Sequence, residues 1–459
     1  MYKISFKNPV HVHFIGIGGI SMSGLAQILK KEGFTISGSD NRESELTKRL
    51  ESEGICVMIG QKAENITSDI DLVVYTAAIH EDNPEYAQAV KAGIPMLSRA
   101  QLLGQLMNNY ERSIAVSGTH GKTTTTSMVS HILLASDTDP TISVGGMLPA
   151  IGGNIRVGGP DYFLTEACEY TNSFLNFKPT YSIILNIEED HMDFFKDIDD
   201  IRHSFRLFAE NTDPEGALFI SSAIEKTDYL TEGLPCSIVS YGLNGDEDYT
   251  AANIEYDEKG CASFEITAYE EPLCRIRLNV PGEHNVTNAL AAAACCAYSG
   301  ISAEAITAGL MEFTGTGRRF EYKGSFNGVT VIDDYAHHPT EIRATLHAAD
   351  RYPHNRIICV FQPHTYTRTK AFWNEFADAL CGADLVVLAD VYAARETDTL
   401  GIKSEDLARE ITERGTQAMY FPSFEEIEKY LLKNCINNDL LITMGAGNVN
   451  QIGDSLLQG

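Results

Sequence analysis

Residues 117–126 read Ser-Gly-Thr-His-Gly-Lys-Thr-Thr-Thr-Thr, directly after the apolar stretch Ser113-Ile-Ala-Val116. A strand entering a glycine-bearing loop, followed by lysine, hydroxyl and helix, is the layout of a phosphate-binding loop. Backbone N–H groups face phosphate oxygens there, and the helix N-terminus adds partial positive charge. In that layout Lys122 reaches the β/γ-phosphates and Thr123 ligates Mg²⁺. The strict pattern places glycine where this chain has Val116; here the glycine is Gly118, so the loop is a variant. Nucleoside triphosphate chemistry is the first expectation.

A second glycine turn, Gly16-x-Gly18-Gly19-x-Ser21, follows the strand-like Val12-His-Phe-Ile15 and opens a helix. Such a turn cradles a pyrophosphate. Ser21 replaces the third glycine of the dinucleotide pattern, and Asp40 stands where a carboxylate meets a ribose or base. By itself the turn suggests NAD, but another nucleotide diphosphate fits the same geometry.

Carboxylate and imidazole come next. Glu166 ends the strand-like Tyr162-Phe-Leu-Thr165, and His191 follows Tyr181-Ser-Ile-Ile-Leu185 within Asn186-Ile-Glu-Glu-Asp-His-Met-Asp193. Strand C-termini of an open α/β sheet gather at one edge, which places Glu166 and His191 beside the phosphate loop as metal ligands. Carboxylate, water and phosphate suit Mg²⁺, and the histidine admits Mn²⁺. Asn285 and Asn288, three apart, share one face at a helix start. One is able to cap the helix and the other to meet a nucleotide. Arg319, in Gly317-Arg-Arg-Phe320, is placed to bring charge to a γ-phosphate across a domain gap, where the arginine fork is preferred over lysine. Asp333-Asp-Tyr-Ala-His-His-Pro339 and Gln362-Pro-His-Thr-Tyr-Thr-Arg368 end two further strands, and loops of this composition at strand ends bind ligands.

These residues need scaffolds to hold them. At 459 residues the chain is long enough for two to four domains. Strand and helix patterns alternate through three blocks, 1–106, 107–314 and 315–459, which predicts α/β domains with parallel sheets. In the third block helices are expected over 340–351, 369–381, 404–414 and 424–433. A net charge of −28, from 63 acidic and 35 basic residues, argues against nucleic-acid and anionic-membrane partners. Ten cysteines without a C-x-x-C pair suit a reduced cytoplasmic protein, with Cys295 and Cys296 as small core residues. No signal-peptide pattern and no membrane-length apolar run is seen.

In order and spacing, the segments His13–Gly19, Gly118–Thr124, Glu166–Glu169, Asp190–Asp193, Gly282–Asn285, Gly317–Phe320, Asp333–Glu341 and Gln362–His364 resemble the Mur ligase family across nearly the whole chain. The closest resemblance is to the branch that adds L-alanine. It implies a Rossmann-like first domain, a central P-loop ATPase-type domain and a Rossmann-like third domain. It also implies UDP-N-acetylmuramate and L-alanine as substrates, with ATP and Mg²⁺. Gly16, Gly18, Gly19, Ser21 and Asp40 then bind the UDP-sugar. ATP falls to Gly118, Thr119, His120, Gly121, Lys122, Thr123, Thr124, Asn285, Asn288, Arg319 and Asp334. Thr123, Glu166 and His191 serve metal, and His337 and Arg368 line the amino-acid and carboxylate end.

The implied chemistry is attack of a carboxylate on the γ-phosphate to give an acyl phosphate, then attack of the alanine amine. His337 is the candidate base, because imidazole ordinarily titrates near neutrality. The chain departs from the branch at Thr365, where arginine is expected, and offers no position for the carbamylated lysine of sibling ligases. Three rivals stand beside this reading: a sibling ligase that joins a peptide to the same sugar nucleotide, an NAD-dependent dehydrogenase, and a nucleotide-switch ATPase. Monomer and dimer are equally compatible with the sequence.

Overall fold

The computed structural model describes residues 2–76, 78–394 and 396–458. Three sheets run in chain order. The first has five parallel strands in the order Cys56–Ile59, Thr35–Asp40, His11–Ile15, Leu72–Tyr75, Met96–Ser98. The order reverses beside His11–Ile15, and its C-terminal end carries the first glycine turn. That is the topological switch point, where α/β sheets take ligands.

The central sheet has ten strands. Arg112–Ser117, which feeds the phosphate loop, lies between Tyr181–Ile184 and Tyr162–Glu166, parallel to both. Their interiors are buried and largely apolar because both faces are covered, with Thr165 and Ser182 as buried hydroxyls. The far side of the sheet is built from Ser237–Gly242, Tyr249–Tyr256, Cys261–Ala268 and Glu271–Pro281, the last two pairings antiparallel. The phosphate-loop helix Lys122–Ala135 packs on Ala303–Glu312. A Cβ at Gly309 would lie 2.5 Å from Ile132 backbone, so glycine permits the close approach. The alanine-rich helix Glu283–Tyr298 presses small residues, including buried Cys295 and Cys296, onto the sheet. All ten cysteines are free.

The third sheet runs Glu321–Phe326, Val329–Asp334, Leu440–Met444, Ile357–Phe361, Leu385–Leu388, Gln417–Tyr420, antiparallel only at its first pair. The helix expected over 369–381 is two helices, Tyr366–Ala371 and Trp373–Leu380. Phe372 leaves helical geometry between them (φ −111°, ψ 30°) and sets its ring edge-on against His338 at 4.8 Å. Among the described residues no helix is long and apolar enough to cross a membrane.

Candidate active site

The phosphate loop is shaped by Gly118 and Gly121, at φ +142° and +81°. A Cβ at Gly121 would lie 2.8 Å from Asn288 Oδ1, so this position requires glycine. Asn186 staples the loop: its Oδ1 accepts from His120 N (2.8 Å) and its Nδ2 donates to His120 O (3.1 Å). The helix that follows has no side-chain cap, which leaves its first N–H groups for a ligand.

Lys122 Nζ donates to Gly118 O, to Thr119 O (3.1 Å) and to Glu169 Oε2 (2.9 Å). Burial opposes its charge, but Glu169 outweighs burial and lifts its pKa. Thr123 Oγ1 donates to Glu166 Oε2 at 3.1 Å, and Gly145 N donates to the other oxygen. Burial nevertheless pushes the Glu166 pKa up, against the pull of those donors and of Lys122 and Arg319. Such a carboxylate gains from a cation. His191 lies in the left-handed region (φ +53°), its ring stacked on Tyr170 at 4.4 Å and its Nε2 3.8 Å from both Glu169 and Asp190. Burial lowers its pKa, leaving a neutral imidazole. The three expected metal ligands, with Glu169 added, therefore form two pairs, Thr123–Glu166 and His191–Glu169, and the Lys122 charge acts on both carboxylates. Glu169 and Asn186 were not singled out from sequence, although Glu-Ala-Cys-Glu and the strand-end asparagine were visible there.

A cavity of about 310 Å³ lies between the central and third domains. His120, Gly121, Thr124, Asn285, Asn288, Arg319 and Asp334 line it, together with Glu188, His284 and Glu341. Neither asparagine caps its helix. Gly282 is the N-cap, Asn285 Nδ2 donates to Pro281 O (2.7 Å), and Asn288 Nδ2 donates to Asn285 Oδ1 (3.1 Å). Arg318 and Arg319 part company. Arg318 is bound to Asp333 (2.9 Å) and to the carbonyls of Gly445 and Gly447, while Arg319 faces the cavity 3.6 Å from Glu341.

The side chains of three residues expected to meet ligands have partners within the protein. Asp334 accepts from Phe320 N and Ala336 N, both at 2.7 Å, so its carboxylate braces the hinge turn that carries Arg319. Burial lifts its pKa to about 6. Asp40 Oδ2 accepts from Gly18 N at 2.9 Å, which ties this oxygen to the glycine turn instead of a ribose. Arg368 places Nε and Nη2 on Asp190 Oδ1 (3.1 and 2.8 Å), a buried ion pair between the central and third domains. His337 sits beside this pair's domain, with Nδ1 3.0 Å from Tyr335 O and 3.1 Å from Glu341 Oε2.

Residues 11–111 match the Mur ligase family catalytic domain, 116–296 the Mur ligase middle domain, and 318–447 the Mur ligase glutamate ligase domain. The chain belongs to the Mur ligase family. Over 458 residues it is 64% identical to UDP-N-acetylmuramate–L-alanine ligase of Agathobacter rectalis, covering 100% of each chain. The crystal structure of UDP-N-acetylmuramate–alanine ligase from Thermotoga maritima superposes with TM-score 0.79 at 30% identity, over 98% of both chains. A murein peptide ligase from Psychrobacter arcticus shares the fold, with TM-score 0.70 at 24% identity over 98% of both chains.

Proposed function

We propose that this chain joins L-alanine to the lactyl carboxylate of UDP-N-acetylmuramate, with ATP cleaved to ADP and phosphate, in cytoplasmic synthesis of peptidoglycan precursors. The observation that carries this is the end-to-end match to L-alanine ligases, supported by a phosphate loop and Arg319 that border one interdomain cavity, with Glu166 on Thr123 of that loop.

The three blocks divide the labour, with boundaries near 106 and 314. The turn at Gly16–Gly19 takes the UDP-sugar. The cavity takes adenosine against Asn285, Asn288 and the wall beyond them. The open N-terminus of the Lys122 helix takes the phosphates. When ATP arrives, Lys122 moves its charge from the Gly118 and Thr119 carbonyls onto the β/γ-phosphates, with Glu169 holding it in line. Thr123 and Glu166 fit Mg²⁺, an oxygen pair with a carboxylate raised by burial, and His191 fits a second ligand position beside Glu169. Bound there, Mg²⁺ supplies charge neutralisation on the transferring phosphoryl group.

The lactyl carboxylate attacks the γ-phosphorus, the bond to ADP breaks, and an acyl phosphate forms. The alanine amine, after losing a proton, attacks the acyl carbon and phosphate leaves. Neither step needs an enzyme nucleophile. The protein aligns the groups and neutralises charge through Lys122 and Arg319. His337 is the proton acceptor. A backbone carbonyl only accepts, so the Nδ1 facing Tyr335 O carries the hydrogen, and a neutral ring then has its lone pair on Nε2.

The test is phosphate release from ATP with Mg²⁺, with UDP-N-acetylmuramate and L-alanine supplied singly and together. Release only with both, with a UDP-sugar–alanine product by mass, is expected. Release with a tripeptide but not alanine would move the assignment to peptide ligation, and release independent of the sugar nucleotide would remove the ligase reading.

A further inference from the structure

The first domain holds a partly buried cation that meets no carboxylate among the described residues. Arg99 is the first residue of the helix Arg99–Met107. A positive side chain is unfavourable there, because the helix dipole is positive at that end. The helix is fixed independently of it. Ser98 and Gln101 form a reciprocal capping box, with Gln101 N donating to Ser98 Oγ (3.2 Å) and Ser98 N to Gln101 Oε1 (2.9 Å). Farther along, a Cβ at Gly104 would lie 2.1 Å from Asn176 O of the central domain, so the helix is seated tightly across the domain seam.

Arg99 is partly buried, and its hydrogen bond is from Nη1 to Ser21 Oγ at 3.2 Å. No carboxylate pairs with it among the described residues, and the acidic group beside it is the Cys168 thiol, which burial keeps protonated. Burial accordingly draws its pKa down. Arg202, Arg318, Arg319 and Arg368 are likewise partly or largely buried, and each meets a carboxylate. The described arginines that lack a carboxylate are otherwise exposed ones, such as Arg42 and Arg343, so a partly buried arginine without an acid sets Arg99 apart. Removing a guanidinium from water without a counter-charge costs stability, so an anion from outside completes the site.

The position says which anion. Ser21 follows the turn Gly16–Gly19 in the first turn of the helix Ile20–Lys31, whose N-cap Gly19 supplies no side-chain acceptor. The turn's own N–H groups are spent on Ser39 O, Asp40 and Gly16 O, so the donors beside Arg99 are the N–H groups that open the helix at Ile20 and Ser21, and its hydrogen bond to Ser21 Oγ sets the guanidinium next to them. We propose that Arg99 binds the pyrophosphate of the sugar nucleotide, its fork closing over the glycine turn from the central-domain side. This rests on the reading of the chain as a UDP-sugar ligase. A fork on a phosphate also gives that substrate a grip on the seam between the first two domains, since the arginine's helix is packed on 170–176.

Calorimetric titration of the full chain with UDP, UDP-N-acetylglucosamine and UDP-N-acetylmuramate tests it; the first two lack the lactyl carboxylate. Arg99→Gln is expected to weaken all three by about 10- to 100-fold, the loss of one charge-assisted fork, with ATP binding unchanged. Arg99→Lys is expected to recover part of the loss, and it carries the test if the glutamine variant does not fold. Unchanged UDP affinity in either folded variant overturns the proposal. So does a loss confined to UDP-N-acetylmuramate, which would put Arg99 on the carboxylate. Wild-type protein that binds no UDP would overturn the ligase reading itself, and this assignment with it.

Discussion

His120 in the phosphate loop and Glu341 in the third domain meet across the cavity, Nδ1 to Oε1 at 3.3 Å, while His120 Nε2 faces Glu188 at 3.4 Å. The second contact is electrostatic, since Nε2 has no aligned hydrogen-bond partner. Burial works against the charge on His120, but the two carboxylates outweigh it and raise its pKa to about 9. Glu188 falls to about 2 and Glu341 well below its ordinary range, both against burial. A raised imidazole pKa contributes stability that is complete below about pH 6.5, its unfolded value, and lost as pH rises toward 9. The melting temperature of the ligand-free protein is therefore expected to fall across pH 6.5–9. His120→Gln should flatten that slope and lower the acid-side plateau by about 2–4 °C. Parallel slopes in the two proteins would remove the ion pair as the cause.

Lys122 and Glu169 form a second pair, with only 16% and 3% of their side chains exposed. Lys122→Met strands Glu169 without its cation, a change that costs about 3–5 kcal/mol at a buried pair. Lys122→Met combined with Glu169→Gln should lose less than the sum of the two single changes, read by denaturant unfolding. Turnover in Lys122→Met should drop about 100- to 1000-fold or more, since a charge aimed at the transferring phosphoryl group is gone.

Glu166 carries a predicted conflict between stability and activity. Burial raises its folded pKa, so the native state holds its proton more tightly than the unfolded chain, and its contribution turns unfavourable as pH rises above its ordinary carboxylate value. Glu166→Gln is therefore expected to melt higher than wild type at pH 7 without metal. Mg²⁺ should raise the wild-type melting point and leave the variant's nearly unchanged, while turnover collapses. A variant that melts lower without metal would contradict this account.

His337 is expected to matter in the step that consumes alanine. At saturating alanine, His337→Ala should cost about 100- to 10,000-fold in kcat, the range for a positioned base. Unchanged turnover would rule out His337 as the base, while a rise only in the KM for alanine would make it a binding residue.

Much of this site was legible because strand-end chemistry has a fixed address in parallel α/β sheets. Val116 pairs with Glu166 and Ser117 with Ile184, so the loops after three strands had to converge. Partner choice was not legible. Nothing in Gly317-Arg-Arg-Phe320 says that Arg318 takes Asp333 while Arg319 faces the cavity; that depends on the positive φ of Arg318 and Phe320. Arg368 on Asp190, and Asp334 on two backbone N–H groups, are equally matters of tertiary placement, as is the break at Phe372. Periodicity alone runs helically through that residue.

The one substitution that departs from the resembled branch, Thr365, is also a strained residue. Its backbone lies at φ +64°, ψ 146°, a region that β-branched residues avoid. The surroundings hold it there: Thr365 N donates to Tyr392 O (2.9 Å), and Thr365 O accepts from Thr369 N (3.2 Å) and Thr369 Oγ1 (2.6 Å). Next to it the His364 ring stacks on Tyr392 at 5.6 Å. Strain of this kind costs about 1–3 kcal/mol and collects at functional sites. Thr365→Gly relieves it and gives back about 0.5–1 kcal/mol in unfolded-chain entropy. A net stabilisation of about 1 kcal/mol is expected in denaturant unfolding, whereas Thr365→Ala, which keeps a Cβ at the same φ, should show almost none of it. If the strained backbone positions His364 at the amino-acid end, the more stable glycine variant should be the slower enzyme. A glycine variant that gains stability at full kcat/KM for alanine would make the strain incidental.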